Sequence, residues 1–312
     1  MNNVIVTGAD GFLGKYLIEK LLQEGKNILA IVRRKDSIFL EKNEYSKLFA
    51  VKCDINNSIE LGKKIKETGI EWDTLYHLAW EGTSGDRRKD VSCQEKNIEN
   101  TIMLIALMSE LKIPNFIGSG SLAEIECKKY VLEDGSTPNP VAMYAAAKLA
   151  LHMMSKIECN RLGINHIWGI FSNIYGVGDT TNNFVNFAAT LMLSGKRASF
   201  TTGEQLYDFI YIDDFINALY LMGERGKNNH CYFLGNGSSR KLKEYIYCIR
   251  DEIDPRIPLY FGEVPYNGIS LTEEELDISK AEKDLGFQPK VAFEEGIRRT
   301  IMWLKNETGE LK

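Results

Sequence analysis

Tyr144 and Lys148 lie four residues apart in Tyr144-Ala-Ala-Ala-Lys148, a spacing that puts a phenol and an ammonium on one face of a helix. The pair suits proton transfer. A tyrosine with the ordinary pKa of about 10 is a poor acid or base at neutral pH, and a cationic neighbour favours its phenolate. Lys148 could also hydrogen-bond a cofactor ribose. Ser121, closing Ser119-Gly-Ser121, adds a hydroxyl that can donate to a substrate oxygen and set it against the phenol. As a lone serine it reads equally well as a helix cap or turn residue. Tyr16 and Lys20 repeat the tyrosine-lysine spacing, but inside the helix that follows a glycine loop. Tyr144 instead follows the fifth expected strand, where Ser119-Gly-Ser121 ends a βα unit.

That glycine loop is Thr7-Gly-Ala-Asp-Gly-Phe-Leu-Gly14, set between an apolar run and an amphipathic one. Gly8 permits a tight turn, Gly11 lets backbone approach a pyrophosphate, and Gly14 lets helix and strand pack closely. Asp10, Phe12 and Leu13 complete the cradle, whose backbone N–H groups would face the phosphates. An ordinary glycine-rich turn is the competing reading, and the strand-turn-helix setting argues against it. At the end of the second strand, where a carboxylate would take the adenosine ribose of NAD, the chain reads Ile31-Val32-Arg33-Arg34. A guanidinium there can grip a 2′-phosphate, so NADP is preferred over NAD. The alternative is that Arg33 stacks on adenine or faces solvent. Asp54 and Ile55, after the third strand, suit the adenine edge.

Apolar runs at Val4–Val6, Ile28–Val32, Phe49–Lys52, Thr74–Leu78, Phe116–Ile117 and His166–Phe171 are the expected strands. Helical periodicity covers Phe12–Gln23, Ile59–Glu67, Ile98–Leu111 and Tyr144–Leu162. Such alternation specifies βαβ units and a doubly wound parallel sheet of Rossmann type. Residues 1–171 are read as the dinucleotide-binding domain, with about 207–237 returning to it. Residues 172–312, less regular apart from a helix near Phe184–Leu193, are read mainly as a mixed α/β substrate lobe. The ligand cleft belongs outside the carboxyl ends of the strands.

The composition is that of a globular chain of 312 residues, 26% charged and 44% hydrophobic. A net charge of −5 and short basic runs such as Arg33-Arg34-Lys35 give no general attraction for nucleic acid. No stretch has the length and apolarity of a membrane span, and the first residues lack a secretory pattern, so a cytoplasmic enzyme is expected. The six cysteines are scattered without metal or redox spacing and read as reduced, with no metal site.

Taken together, these motifs resemble the extended short-chain dehydrogenase/reductase group, the NAD-dependent epimerase/dehydratase family that modifies nucleotide-linked sugars. Further matches are His77-Leu-Ala, Asn97, Ser172-Asn-Ile-Tyr-Gly176, Tyr207 to Asp214, Leu234-Gly-Asn-Gly237, Asp277-Ile-Ser-Lys280 and Leu285-Gly-Phe-Gln-Pro289. The resemblance implies a Ser121-Tyr144-Lys148 active site. It implies a cofactor site including Leu78, Ala79, Trp80, Asn97, Ser119 and Phe171 beside the glycine loop, and Asn173 near the sugar phosphate. It also implies a homodimer built on the Asn97 and Tyr144 helices. Trp80, Glu81 and Phe184 are candidates for the sugar pocket, with packing or surface as the alternative for each. Family dehydratases follow the catalytic hydroxyl with an Asp-Glu pair, and here Leu122 and Ala123 stand there, which disfavours elimination. Tyr207 replaces an arginine that grips the diphosphate, and a basic position near Asn267 is lost. Backbone amides, Lys196 or Arg240 are the substitutes considered.

The leading expectation is an NADP-linked reductase of a keto group, at C4, of a nucleotide-linked deoxyhexulose. A C4 epimerase that keeps NAD bound is the nearest rival, since it uses the same residues. A non-catalytic dinucleotide-binding protein is the third reading, which the intact serine-tyrosine-lysine set opposes.

Overall fold

The first half of the chain alternates strand and helix. Its elements are β1 (Asn3–Thr7), α1 (Phe12–Gln23), β2 (Asn27–Val32), α2 (Ile38–Glu41), β3 (Leu48–Lys52), α3 (Ser58–Glu67) and β4 (Thr74–His77), then α4 (Val91–Glu110), β5 (Asn115–Ser119), α5 (Ala123–Leu132), α6 (Ala142–Leu162) and β6 (Asn165–Phe171). The second half holds β7 (Asn173–Tyr175), α7 (Phe184–Leu193), β8 (Ala198–Phe200), β9 (Leu206–Tyr207), β10 (Phe209–Tyr211) and α8 (Ile212–Arg225). After these come β11 (Cys231–Leu234), β12 (Arg240–Lys241), α9 (Leu242–Ile253), β13 (Leu259–Phe261), α10 (Ser279–Leu285) and α11 (Phe293–Thr308). This computed structural model describes residues 1–41, 46–132, 135, 137–266 and 268–308. Asn267 lies outside them.

Seven parallel strands form the main sheet in the order β11-β6-β5-β4-β1-β2-β3. Strand order reverses between β1 and β4, which opens a crevice at their carboxyl ends. Thr7 pairs with His77, His77 with Gly118, and Ser119 with Gly169 across that edge. Both faces are covered, as the near-continuous apolar strands require. Val4, Val6, Ile28 and Ala30 face a core shared with α1 and α8. Ile5, Leu29 and Ile31 alternate to the other side, against α3, α4 and α6. The remaining strands form two-stranded pairs, β10-β7, β12-β9 and β13-β8.

Two polar details hold the crevice edge. His77 is buried, with Nδ1 3.0 Å from Thr7 Oγ1 and Nε2 2.9 Å from Thr101 Oγ1. Thr101 already donates its hydroxyl hydrogen to the Asn97 carbonyl, so Nε2 carries the proton and Nδ1 accepts from Thr7. Burial pulls the His77 pKa down to about 3, and the ring is neutral at physiological pH.

Helix α4 begins at Val91, seven residues before the expected Ile98. Asp90 caps it by accepting from the Cys93 N–H at 3.2 Å. Its first turns bury Gln94 and Asn97, which are satisfied by hydrogen bonds rather than apolar contact, so apolar periodicity does not mark them. Among the described residues, no helix is long and apolar enough to cross a membrane, and no group of three or more His, Cys, Asp or Glu could hold a metal. The six cysteines are free thiols.

Candidate active site

Helix α1 starts where β1 turns through Gly8, whose φ of +69° suits glycine. A Cβ on Gly14 would fall 2.2 Å from the Gly8 carbonyl oxygen. A Cβ on Gly11 would meet only that oxygen, at 3.1 Å, and would otherwise project into the open side of the loop. Gly11 is the N-cap of α1 and supplies no side-chain cap, leaving the amides of Phe12 and Leu13 to face the crevice. This cradle fits a dinucleotide pyrophosphate. Asp10 Oδ1 accepts from the Ser37 hydroxyl at 2.5 Å, and its buried Oδ2 has no partner among the described residues.

Around the crevice, Arg33 follows β2 with its side chain 66% exposed, 3.6 Å from Glu81 Oε1. Glu81 is also paired with Arg87. Its carboxylate is therefore occupied by the two arginines, and nothing in these contacts aims it at a sugar. Asn97 clamps the loop after β4, accepting from the Glu81 N–H at 2.9 Å and donating to the Glu81 carbonyl at 2.8 Å. Leu78, Ala79 and Trp80 are half-buried along this loop. Asp54 and Ile55 follow β3, and Asp54 Oδ1 accepts from the Asn56 N–H at 3.1 Å. Phe171 closes β6 against Phe215.

Ser121, Tyr144 and Lys148 converge at the end of β5. Lys148 is buried and donates to the Ser119 carbonyl at 2.7 Å, while its Nζ lies 3.7 Å over the Trp80 ring. Burial lowers its pKa to about 7, partly opposed by Glu124. Tyr144, one turn earlier, is buried with its ring edge-on to Trp80. Burial raises the phenol above its usual value, while a hydrogen bond with the Ser121 side chain and the charge of Arg88 draw it back. The cation placed against the phenol ring is thus Arg88, whose Cζ stands 4.1 Å from the ring centroid. Lys148 Nζ is 5.9 Å from that centroid.

Ser121 is the turn and cap residue at the start of α5. Its Oγ accepts from the Ala123 N–H at 3.3 Å and its backbone N–H donates to Glu124 Oε1 at 2.9 Å, a variant of the capping box at the start of α5. The same hydroxyl is hydrogen-bonded to the Tyr144 phenol, so the cap and the phenol hold it from two sides. Sequence reasoning missed Glu124, although Ser121-x-x-Glu124 is a capping signature. Glu124 is fully buried and also binds His152 Nδ1 at 3.0 Å and Trp168 Nε1 at 3.3 Å. Leu122 and Ala123 are buried in apolar clusters and offer no proton-transfer group.

Beyond β6, Tyr207 stacks on Phe209 with centroids 5.6 Å apart, and Phe184 packs against both. Asn173 donates to the Asp208 carbonyl at 3.0 Å. Arg240 pairs across strands with Tyr207 and is held by Glu294 at 2.6 Å. Lys196 lines a separate cleft of 350 Å³ between α7 and α11, with Asp179 and Trp303, which shares no residue with the Ser121 cluster.

A doubly wound sheet with a glycine cradle at its first turn and a Ser-Tyr-Lys cluster at the end of β5 is the architecture of a dinucleotide-dependent enzyme. The chain belongs to the NAD dependent epimerase/dehydratase family, whose profile matches residues 4–235. Among curated relatives, the CDP-abequose synthase of Salmonella typhimurium is 26% identical over 310 residues, 96% of this chain and 97% of its own. The UDP-glucuronate 4-epimerase of Thermodesulfobacterium geofontis is 26% identical over 329 residues, spanning 100% of this chain and 99% of its own. Among solved structures, the UDP-glucose 4-epimerase of Thermotoga maritima superposes with a TM-score of 0.79 at 20% identity, covering 98% of this chain and 99% of that one.

The buried ammonium makes a checkable demand on stability. Its pKa falls from 10.5 unfolded to about 7 folded, so between those values the folded state binds fewer protons and stability from this group rises with pH. Below about pH 7 the whole penalty is present. Lys148→Met should therefore stabilise the cofactor-free protein at pH 6 by on the order of 1–3 kcal/mol, with the gain shrinking toward pH 10. A melting-temperature gain that is flat across that range, read by thermal unfolding, would contradict the lowered pKa.

Proposed function

We propose that the protein is an NADP-linked oxidoreductase that reduces a keto group, at C4, of a nucleotide-linked sugar. The observation that carries this is the convergence of Ser121, Tyr144 and Lys148 at the crevice end of β5, with a phenol whose pKa is raised. A raised phenol stays protonated at neutral pH and suits an acid that delivers its proton to a forming alkoxide. Ser121, hydrogen-bonded to the phenol, would turn its hydroxyl hydrogen onto the same oxygen when substrate enters. Lys148, anchored on Ser119, supports the phenol's helix turn and the ribose side of the cleft. Bound nicotinamide cofactor supplies the hydride. Gly8, Gly11 and Gly14 with Phe12 and Leu13 would hold the pyrophosphate, and Arg33, free to swing from Glu81, the 2′-phosphate. Tyr207, Phe184 and Asn173 form the proposed sugar-nucleotide wall. The absence of acid-base groups at Leu122 and Ala123 argues against dehydration.

The names of the relatives favour a second reading, C4 epimerisation with retained NAD, because several are 4-epimerases. The same three residues serve it. Cofactor that co-purifies as tightly held NAD, together with interconversion of 4-epimers without net NADPH consumption, would select epimerisation over reduction.

Tyr144→Phe should leave NADPH affinity within about 2-fold while turnover of a nucleotide-linked 4-keto sugar falls by about 10²- to 10⁴-fold. Wild-type turnover in that variant would remove Tyr144 from the chemistry. Arg33→Ala should weaken NADPH by about 10-fold or more and NADH far less, measured by fluorescence titration; equal losses would overturn the NADP preference.

A homodimer is also proposed, through the outer faces of α4 and α6. Ala146, Ala150, Met153 and Ile157 recur at helical spacing along α6, with Met153 54% and Ile157 63% exposed beside Met103 on α4. Light scattering should give twice the chain mass for the wild type and the single-chain mass for Met153→Glu/Ile157→Glu. A monomeric wild type at micromolar concentration would exclude this interface.

A further inference from the structure

The loop from β4 to α4 ends in a 3₁₀ turn, Asp86–Lys89, that carries three consecutive cations. Two face outward and are paired, Arg87 with Glu81 and Lys89 with Asp86 at 2.8 Å. Arg88 differs. It is half-buried, its Cζ stands over the Tyr144 ring 4.1 Å from the centroid, and it donates through Nη1 to the Thr83 carbonyl at 2.7 Å. A guanidinium carries five N–H donors, and this bond uses one. Among the described residues Arg88 forms no ion pair. Glu126 is close enough to feel its charge, yet makes no ion pair with it, and burial pushes the Glu126 carboxyl toward its neutral form.

A partly desolvated cation with most of its donors unused is costly unless a partner arrives, and stacking on a ring offsets only part of that. Its position decides what the partner is. Tyr144 marks the reacting carbon in the function proposed above, so Arg88 stands beside the sugar, within a side chain's reach of the phenol. The other basic candidates are engaged elsewhere, Arg240 with Glu294 and Lys196 in the cleft behind α7.

We propose that Arg88 is a specificity-determining residue that receives anionic oxygens of the nucleotide sugar, in the forked geometry a guanidinium offers to carboxylate or phosphate. The proposal rests on the nucleotide-sugar reading of the Ser121-Tyr144-Lys148 site. Two groups of one substrate share this chemistry: a carboxylate on the sugar carbon next to the reacting one, or the diphosphate on the far side of the ring.

Isothermal titration of the cofactor-saturated protein with UDP-glucuronate, UDP-glucose and UDP separates them. If the sugar carboxylate is the partner, Arg88→Met weakens UDP-glucuronate by about 10-fold or more and leaves UDP-glucose and UDP within about 2-fold. If the diphosphate is the partner, all three weaken together. In either case Arg88→Lys, which keeps the charge but loses the fork, recovers part of the affinity, and cofactor affinity stays at the wild-type value. Binding by the wild type that Arg88→Met leaves unchanged for every ligand overturns the assignment while sparing the nucleotide-sugar reading. Failure of the wild type to bind any of these three, or dTDP-glucose or CDP-glucose, overturns that reading and the anion site with it.

Discussion

The site depends on one buried ammonium. Lys148 Nζ is tied to the Ser119 carbonyl at the end of β5 and capped by the Trp80 ring from the end of β4, so one charge joins two strand ends to helix α6. Because Tyr144 lies one turn earlier on that helix, the contacts that hold the lysine also fix the phenol against the crevice. Burial makes the arrangement expensive for the ammonium and lowers its pKa to about 7. The carbonyl and the indole face recover part of that cost.

The serine is held by a second buried charge. Glu124 reaches back to the Ser121 N–H and also binds His152, which stacks on Trp168 at 4.6 Å. Trp168 in turn stacks on His166 at 5.6 Å. This column crosses from α5 through α6 to β6, so the turn bearing Ser121 is pinned to rigid elements on three sides. Glycine at 120 follows from the same packing, since a Cβ there would fall 2.3 Å from Trp168 Nε1 and 2.5 Å from Glu124 Oε1. Ser119-Gly-Ser121 is therefore a constrained corner, and its hydroxyl has little freedom to leave the phenol.

Much of this was legible in the residues. Strands β1, β2, β3, β4 and β6 fall within about two residues of their apolar runs, because a strand buried on both faces leaves no polar interruption. The glycine cradle and the Tyr144-Lys148 pair carry their own geometry in fixed spacing. What stayed hidden depends on contacts distant in sequence. Arg88 sits in a polar loop with no periodicity, beside two similar cations, and only the fold turns it inward. The two-stranded pairs β10-β7, β12-β9 and β13-β8 contain two or three residues per strand, too few for alternation to register. Glu124 was readable as a cap, but its bond to His152 spans 28 residues.

The sheet edge and the aromatic cluster beyond it carry groups of different kinds. The sheet supplies charged and proton-carrying groups at its carboxyl edge, each braced by hydrogen bonds. Beyond β6, Phe184, Tyr207 and Phe209 form an aromatic wall with ring centroids within 6.3 Å of one another, and burial lifts Tyr207 to about 12. Such a wall can stack on a base or a sugar face but adds no positive charge to the cleft. Arg33 and Arg88 lie on the sheet side, in the loops after β2 and β4, and the cation paired with this cluster, Arg240, is neutralised by Glu294.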